Sequence, residues 1–305
     1  MSPRWLLALV FAPSCLPVDT RPPPSEVLVR FVGSAAVDKG LVTADGWALT
    51  FDEYLVSFGN PTLAGDGCNQ YADAGYRRIF DGRVLEPQKV GLGYALGSCF
   101  ARVRLANPNG DSLLGINVTE AQKVFLRTPG TDAFNTEPVG ISVWVKGKAE
   151  KAGITKTFAF AWRTRRVQLQ DCARTIGAKA EPLALTGAPL TLDFHFHPEA
   201  PFRAHLDPAK PELHFQPFAR ADDDGDKNGE VTLDELVAVP IEKLGLPPDD
   251  LVPPNDAGII TSPFKTFADY VWVGMFPQLM TYGPDGPCQV PLASSPRPGG
   301  GGGPF

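Results

Sequence analysis

The sequence predicts a mainly β fold, an antiparallel sandwich, with a smaller α-helical C-terminal part built around one acidic loop. Three observations carry that prediction. Apolar residues recur at every second position through most of residues 26–170, turn-forming pairs interrupt those runs at short intervals, and the period lengthens after about residue 211. Alternation over a few residues fits a half-buried strand, and many such strands with frequent turns fit two packed antiparallel layers.

The strands follow in order. Val27, Val29 and Phe31 alternate with Leu28, Arg30 and Val32. Trp47, Leu49 and Phe51 alternate, and Tyr54, Val56 and Phe58 alternate after them with the phase displaced by one residue. A one-residue slip exchanges the faces of a strand, so a bulge or break is expected near Asp52-Glu53. Ala101, Val103 and Leu105 form the next one-sided set, followed by Ile141, Val143 and Val145, then Phe158, Phe160 and Trp162, then Val167 and Leu169. Asn60-Pro61, Asp81-Gly82, Asn109-Gly110 and Pro129-Gly130 supply turn signals. Within this β region residues 118–126 read as a helix, capped by Thr119. Beyond it, residues 213–221 and 233–244 read as short helices, the second limited by Pro240, and residues 264–280 as a longer apolar helix broken at Pro277.

The ends have a different character. Arg4 followed by the apolar residues 5–12 has the layout of an export signal and is too short to span a bilayer. Ala12-Pro13-Ser14-Cys15 resembles the lipobox of bacterial lipoproteins, which implies lipidation of Cys15 and attachment to a membrane by a lipid anchor, on the periplasmic or cell-surface side. Residues 16–25, with Pro17, Pro22, Pro23 and Pro24, read as an extended tether, and residues 294–305 as a disordered proline–glycine tail. The expected organisation is therefore signal and lipobox 1–15, tether 16–25, β domain 26–210, helical region 211–293 and tail 294–305. Cysteine usage agrees with export. Setting Cys15 aside leaves Cys68, Cys99, Cys172 and Cys288, an even set without the CxxC spacing of a zinc or redox site. Three connectivities are open, and Cys68–Cys99 with Cys172–Cys288 is the expected one.

The acidic loop is the strongest motif. Asp224, Asp226, Asn228, Gly229 and Glu235 satisfy D-x-[DN]-x-[DN]-G-x5-E over residues 224–235. The loop thus resembles the calcium loop of the EF-hand family. That resemblance implies Asp224, Asp226 and Asn228 as side-chain ligands, Glu230 through its carbonyl, Thr232 directly or through water, and Glu235 with both carboxylate oxygens. Val231 stands where the family packs an apolar side chain behind the loop. Family loops come in pairs between longer helices, whereas this chain shows one loop with Pro217 in its entering segment. A lone loop implies a dissociation constant of roughly 10⁻⁴–10⁻³ M, as in extracellular modules. Calcium at ten times that constant contributes about 1.4 kcal/mol of stability, reinforcement rather than sensing.

A second metal reading rests on the histidines, all four of which lie within residues 195–214. In a strand through residues 190–197, Asp193, His195 and His197 share one face, with the two histidines about 6.5–7 Å apart along the chain. Copper or zinc between His195 and His197, completed by Asp193, His205 or His214, is the rival expectation. Its bland counterpart is a polar strand face with hydrogen-bonded histidines.

Several blocks bear on both readings: Asp45-Gly46-Trp47 with Tyr54-Leu55-Val56-Ser57, Tyr94-Ala95-Leu96-Gly97, and Lys146-Gly147-Lys148-Ala149 with Thr157-Phe158-Ala159-Phe160. With the acidic loop they resemble lipoproteins of predatory, high-GC soil bacteria. More distantly, the early blocks are similar to methanobactin-associated periplasmic copper-binding proteins, which implies a β-sandwich.

Net charge is −6, acidic residues cluster at 222–226 and no basic stripe is present, so nucleic acid is not an expected partner. HExxH, GxSxG and the P-loop are all missing. Gly91, Gly93 and Gly97 miss the dinucleotide fingerprint by one residue and precede a strand, which reads as a glycine-rich turn. The sequence thus points to a non-enzymatic, calcium-binding envelope lipoprotein with a binding, adhesive or structural role toward an envelope partner.

Overall fold

The structure is a computed structural model that describes residues 22–131, 137–163, 167–169, 182–207, 210–244, 264–283 and 286–287. The expectations for Cys15, Cys172, Cys288, the signal and the C-terminal tail lie outside those residues. Ser25 already begins a strand, one residue inside the expected tether.

The chain runs β1 (Ser25–Val32), α1 (Ala35–Lys39), β2 (Leu41–Val42), β3 (Ala48–Gly75), β4 (Arg77–Asp81), β5 (Gln88–Leu105), β6 (Leu113–Leu114) and α2 (Glu120–Arg127). It continues with β7 (Ile141–Lys151), β8 (Ile154–Arg163), β9 (Val167–Leu169), β10 (Leu183–Leu185) and β11 (Leu190–Phe196). The C-terminal part holds α3 (Gln216–Asp224), β12 (Glu230–Thr232), α4 (Leu233–Ala238) and α5 (Phe267–Asp269), then β13 (Met280–Tyr282) and β14 (Gly286–Pro287).

The fold is mainly β, as expected, but the strands form one curled, mixed sheet. Its main path is β12-β8-β7-β3-β5-β1-β11-β13-β14. Most neighbours are antiparallel. The purely antiparallel expectation is corrected by three parallel pairs, β1 with β11, β12 with β8 and β4 with β6. Alternation along one strand cannot show these pairings, because it reports which face is buried and not which neighbour is paired.

The displaced phase in β3 has its physical cause in the ladder with β7, where the register shifts between Phe51 and Glu53. Asp52 is the additional, exposed residue, which lets Phe51 and Tyr54 both turn inward. The glycine-rich turn expected at Gly91, Gly93 and Gly97 is overturned, since all three lie inside β5. Gly97 has a positive φ of 97°, and a Cβ there would fall 2.1 Å from the Gly67 carbonyl oxygen on β3, so glycine serves close strand approach. Cys68 and Cys99 join β3 to β5 by a disulfide, one of the two links in the expected connectivity.

One apolar core extends from Val27 to Tyr282, including the C-terminal helices. Phe215 and Phe218 of the α3 segment lie against Phe158, Phe160 and Phe202, while Trp162 stacks on Trp272. Of the expected 264–280 helix only α5 is α-helical. A π-helical turn (Tyr270–Met275) and a 3-10 turn (Phe276–Gln278) follow, with Pro277 in the latter. On the outer face α2, capped by Thr119 through a capping box, covers a smaller cluster of Leu55, Ile79, Val118, Leu126 and Ile141. Trp144 is shielded there by Phe125. No helix among the described residues is long and apolar enough to cross a membrane.

Candidate metal centre

The acidic loop is held at three points. The first is the start of α3. Phe215 offers no capping side chain, so Oδ2 of Asp45 accepts the Phe215 and Gln216 N–H groups instead, at 2.9 and 2.6 Å. Asp45 is itself fixed by the Thr43 hydroxyl, and the Trp47 indole donates to Gln216. The Asp45-Gly46-Trp47 block singled out in the sequence is therefore the remote cap of the helix that enters the loop. Pro217 occupies the first turn, where its missing N–H costs nothing.

The second point is Asp222. Phe218, Ala221 and Asp222 follow the i, i+3, i+4 spacing of one helix face, and all three are buried. The Asp222 carboxylate is fully buried, a position that is costly unless charge and hydrogen bonds compensate. Oδ1 accepts the Gly229 N–H at 3.1 Å, and Oδ2 accepts from the Lys156 ammonium of β8, which also reaches Asp223 at 2.6 Å. Burial pulls the Lys156 ammonium toward deprotonation, but the hydrogen bonds and charges of Asp222 and Asp223 outweigh it and hold its pKa above the ordinary lysine value.

The third point is β12. Glu230, Val231 and Thr232 pair in parallel with Thr157, Phe158 and Ala159, and the Thr157 N–H donates to the Gly229 carbonyl at 2.9 Å. Val231 is fully buried behind the loop, as the motif implied. Between the second and third points the chain turns through Lys227 and Gly229, both at positive φ.

These supports bring three carboxylates together. One oxygen each of Asp222, Asp226 and Glu235 lie within 4.8 Å of one another, so a single cation can be shared among them. Glu235 Oε2 closes the capping box of α4, accepting the Thr232 N–H at 2.8 Å and the Thr232 hydroxyl at 3.0 Å. Its other oxygen, Oε1, is buried without a hydrogen-bond partner. A Cβ on Gly225 would lie 2.5 Å from that oxygen, so the absence of a side chain at Gly225 makes room for the Glu235 carboxylate. An orphaned buried oxygen beside two further carboxylates fits a hard, oxygen-seeking cation.

Asp226 and Glu235, two of the residues read as ligands, thus lie together. Asp224, read as the first ligand, ends α3 on the exposed side and is not in the group. Asp222 takes the inward position two residues earlier. The sequence signal for it was Phe218 four residues before, on the same helix face. Asn228 accepts the Glu230 N–H with its side-chain oxygen and donates to Asp226 with its amide. The Glu230 side chain is exposed, and Thr232 caps α4. Compared with known proteins, the chain matches no family model, and no curated protein or solved structure matches it.

The histidines sit in a different kind of environment. His195 pairs across the ladder with Thr281 of β13. His197 uses both ring nitrogens, Nδ1 at 2.9 Å from Glu199 and Nε2 at 2.8 Å from the Thr281 hydroxyl. Asp193, on the same face, forms a two-pronged ion pair with Arg30 at 2.6 and 2.7 Å. His214 meets Glu212 at 2.7 Å. Burial alone raises the Glu199 carboxyl, but the hydrogen bond and charge of His197, with Arg203 behind them, bring it below the usual carboxylate value. Among the described residues no histidine belongs to a group of three or more ligand side chains close enough to share an ion.

Proposed function

We propose that this chain is a calcium-binding protein of the cell envelope, lipid-anchored through Cys15, in which the ion clasps the helical C-terminal part to the sheet. The observation that carries the reading is the convergence of Asp222, Asp226 and Glu235 around a buried, unpartnered carboxylate oxygen. Residues 222–235 hold seven carboxylates and one lysine, an excess of negative charge that a divalent cation relieves. Asp222, Asp226 and Glu235 would hold the ion. Calcium is favoured over magnesium because carboxylates supplied by a loop and two helices suit a large, irregular coordination shell.

A single loop serves here because its two rails are fixed by the rest of the fold. Asp45 caps α3, and β8 pairs with β12, so little order remains to be gained on binding. The role is structural or adhesive, without catalysis.

The test is metal analysis of the full chain purified without chelator, together with calcium titration by calorimetry. One calcium per chain, with binding heat absent for magnesium at equal concentration, supports the reading. A chain without calcium and without titration heat ends it. Copper or zinc in its place would move the functional site to His195 and His197.

A further inference from the structure

The carboxylate that begins the three-residue group is also the one a lysine holds. Asp222 is fully buried, and Lys156, itself 8% exposed, reaches it from β8. The two oxygens of Asp222 face different ways: Oδ2 takes the ammonium, while Oδ1 takes the Gly229 N–H of the loop. An ammonium and a calcium ion make the same demand on this carboxylate, since each is a compact, strongly hydrated cation that exchanges water for anionic oxygen. The cluster therefore already contains one cation, supplied by the chain.

Lys156 also has a second seat. Asp223 lies 2.6 Å from its ammonium, and the Asp223 side chain is 56% exposed. A buried ammonium released without a partner would be costly. With Asp223 in place, Lys156 can yield Asp222 and stay paired at the edge of the solvent.

We propose that Lys156 is a built-in competitor for the calcium site, holding Asp222 in the ion-free protein and giving up its hold as the ion binds. Affinity is thereby kept low, occupancy is coupled to β8, and the site begins at Asp222 instead of Asp224. This rests on the calcium reading of the loop. A lysine that merely positions Asp222 has the opposite signature, because its loss would weaken binding.

The experiment is calcium calorimetry on the full chain and its Lys156→Gln, Asp222→Asn and Asp224→Asn variants. Lys156→Gln is expected to bind about tenfold more tightly, the scale of removing one competing charge from a part-buried site. Asp222→Asn should lose most of the affinity, and Asp224→Asn should stay within about twofold of the unaltered chain, as an exposed carboxylate outside the group does. A measurement on the unaltered protein guards against misfolding of the glutamine variant. Saturating calcium should raise the reactivity of the Lys156 amine toward an acylating reagent several-fold, read by peptide mass spectrometry. Equal or weaker binding by Lys156→Gln, unchanged Lys156 reactivity, or a larger loss in Asp224→Asn than in Asp222→Asn overturns the competitor while leaving the calcium reading intact. An unaltered chain that takes up no calcium overturns both.

Discussion

The acidic loop and the histidine strand carry similar sets of polar side chains, yet the fold treats them in opposite ways. Along the strand face most charges are matched pairwise: Arg30 with Asp193, His197 with Glu199 and Thr281, His214 with Glu212 nearby. In the loop three carboxylates converge, one of their oxygens is buried without a partner, and the nearest cation is a lysine with two claims on it. Residue type alone does not separate a metal site from a satisfied polar surface. What sets the loop apart is an anionic oxygen left without a donor beside two further carboxylates, because such a group is destabilising until a cation arrives to meet it.

The largest expected effect tests that contrast at the orphaned oxygen. Glu235→Gln removes the charge and substitutes an amide for one oxygen, and calcium affinity should fall roughly a hundredfold, the scale of one charged contact. The mirror experiment, His197→Gln, should leave calcium affinity unchanged. Equal losses in the two variants would erase the distinction between the regions.

Gly225→Ala sharpens the same point without touching a ligand. Gly225 lies at φ −88° and ψ −129°, outside the helical and extended regions, and a Cβ there would fall 2.5 Å from Glu235 Oε1 and 2.8 Å from the Ala221 carbonyl oxygen. Calcium affinity should fall roughly tenfold, as when a group that orients a ligand is altered. Ion-free stability should fall as well, because the Ala221 carbonyl is backbone and must shift, and calorimetry with urea melts separates the two effects. A variant that binds as the parent does would show that Glu235 Oε1 does not face the ion.

Asp45→Ala tests whether the site depends on its remote cap. Loss of the acceptor for the Phe215 and Gln216 N–H groups should cost about 1–2 kcal/mol in urea unfolding, the usual worth of a helix cap. Calcium should stabilise an Arg30→Ala variant at the histidine strand by the full increment it gives the unaltered chain, and Asp45→Ala by less, because only the second change loosens the loop. Equal stabilisation of both by calcium would argue against a local clasp.

How far the sequence showed these features follows from distance along the chain. The bulge at Asp52, the α2 cap at Thr119, the buried Val231 and the pairing of Asp226 with Glu235 are local patterns, and each is present. The Cys68–Cys99 link joins neighbouring strands, and the cysteine count left three connectivities open until the β3–β5 ladder brought these two together. Asp222 escaped because its depth is set by the core-facing side of α3 and by Lys156, which is 66 residues away. The parallel pairing of β1 with β11 escaped for a similar reason, since Arg30 and Asp193 meet across 163 residues. Glycines 91, 93 and 97 misled because glycine marks both turns and close strand contacts, and only the neighbouring strand distinguishes them.

The smallest effect lies on the strand side and concerns acid. The folded Glu199 carboxyl sits below its ordinary value of 4.5, burial opposing and His197 and Arg203 prevailing. A depressed carboxyl contributes stability that is fully present above the unfolded value and disappears as pH falls through the folded one. Urea midpoints measured from about pH 6 down to about pH 3 should therefore fall on the acid side, with Glu199 one contributor. In His197→Gln the main support for the ionised carboxylate is gone, so the burial that opposes it prevails and that share of the acid dependence should shrink or reverse. Calcium should not alter this difference between variant and parent, because the partners of Glu199 are the strand's own. A calcium-dependent change in the acid limb at His197 would join the two regions into one site and undo the contrast between them.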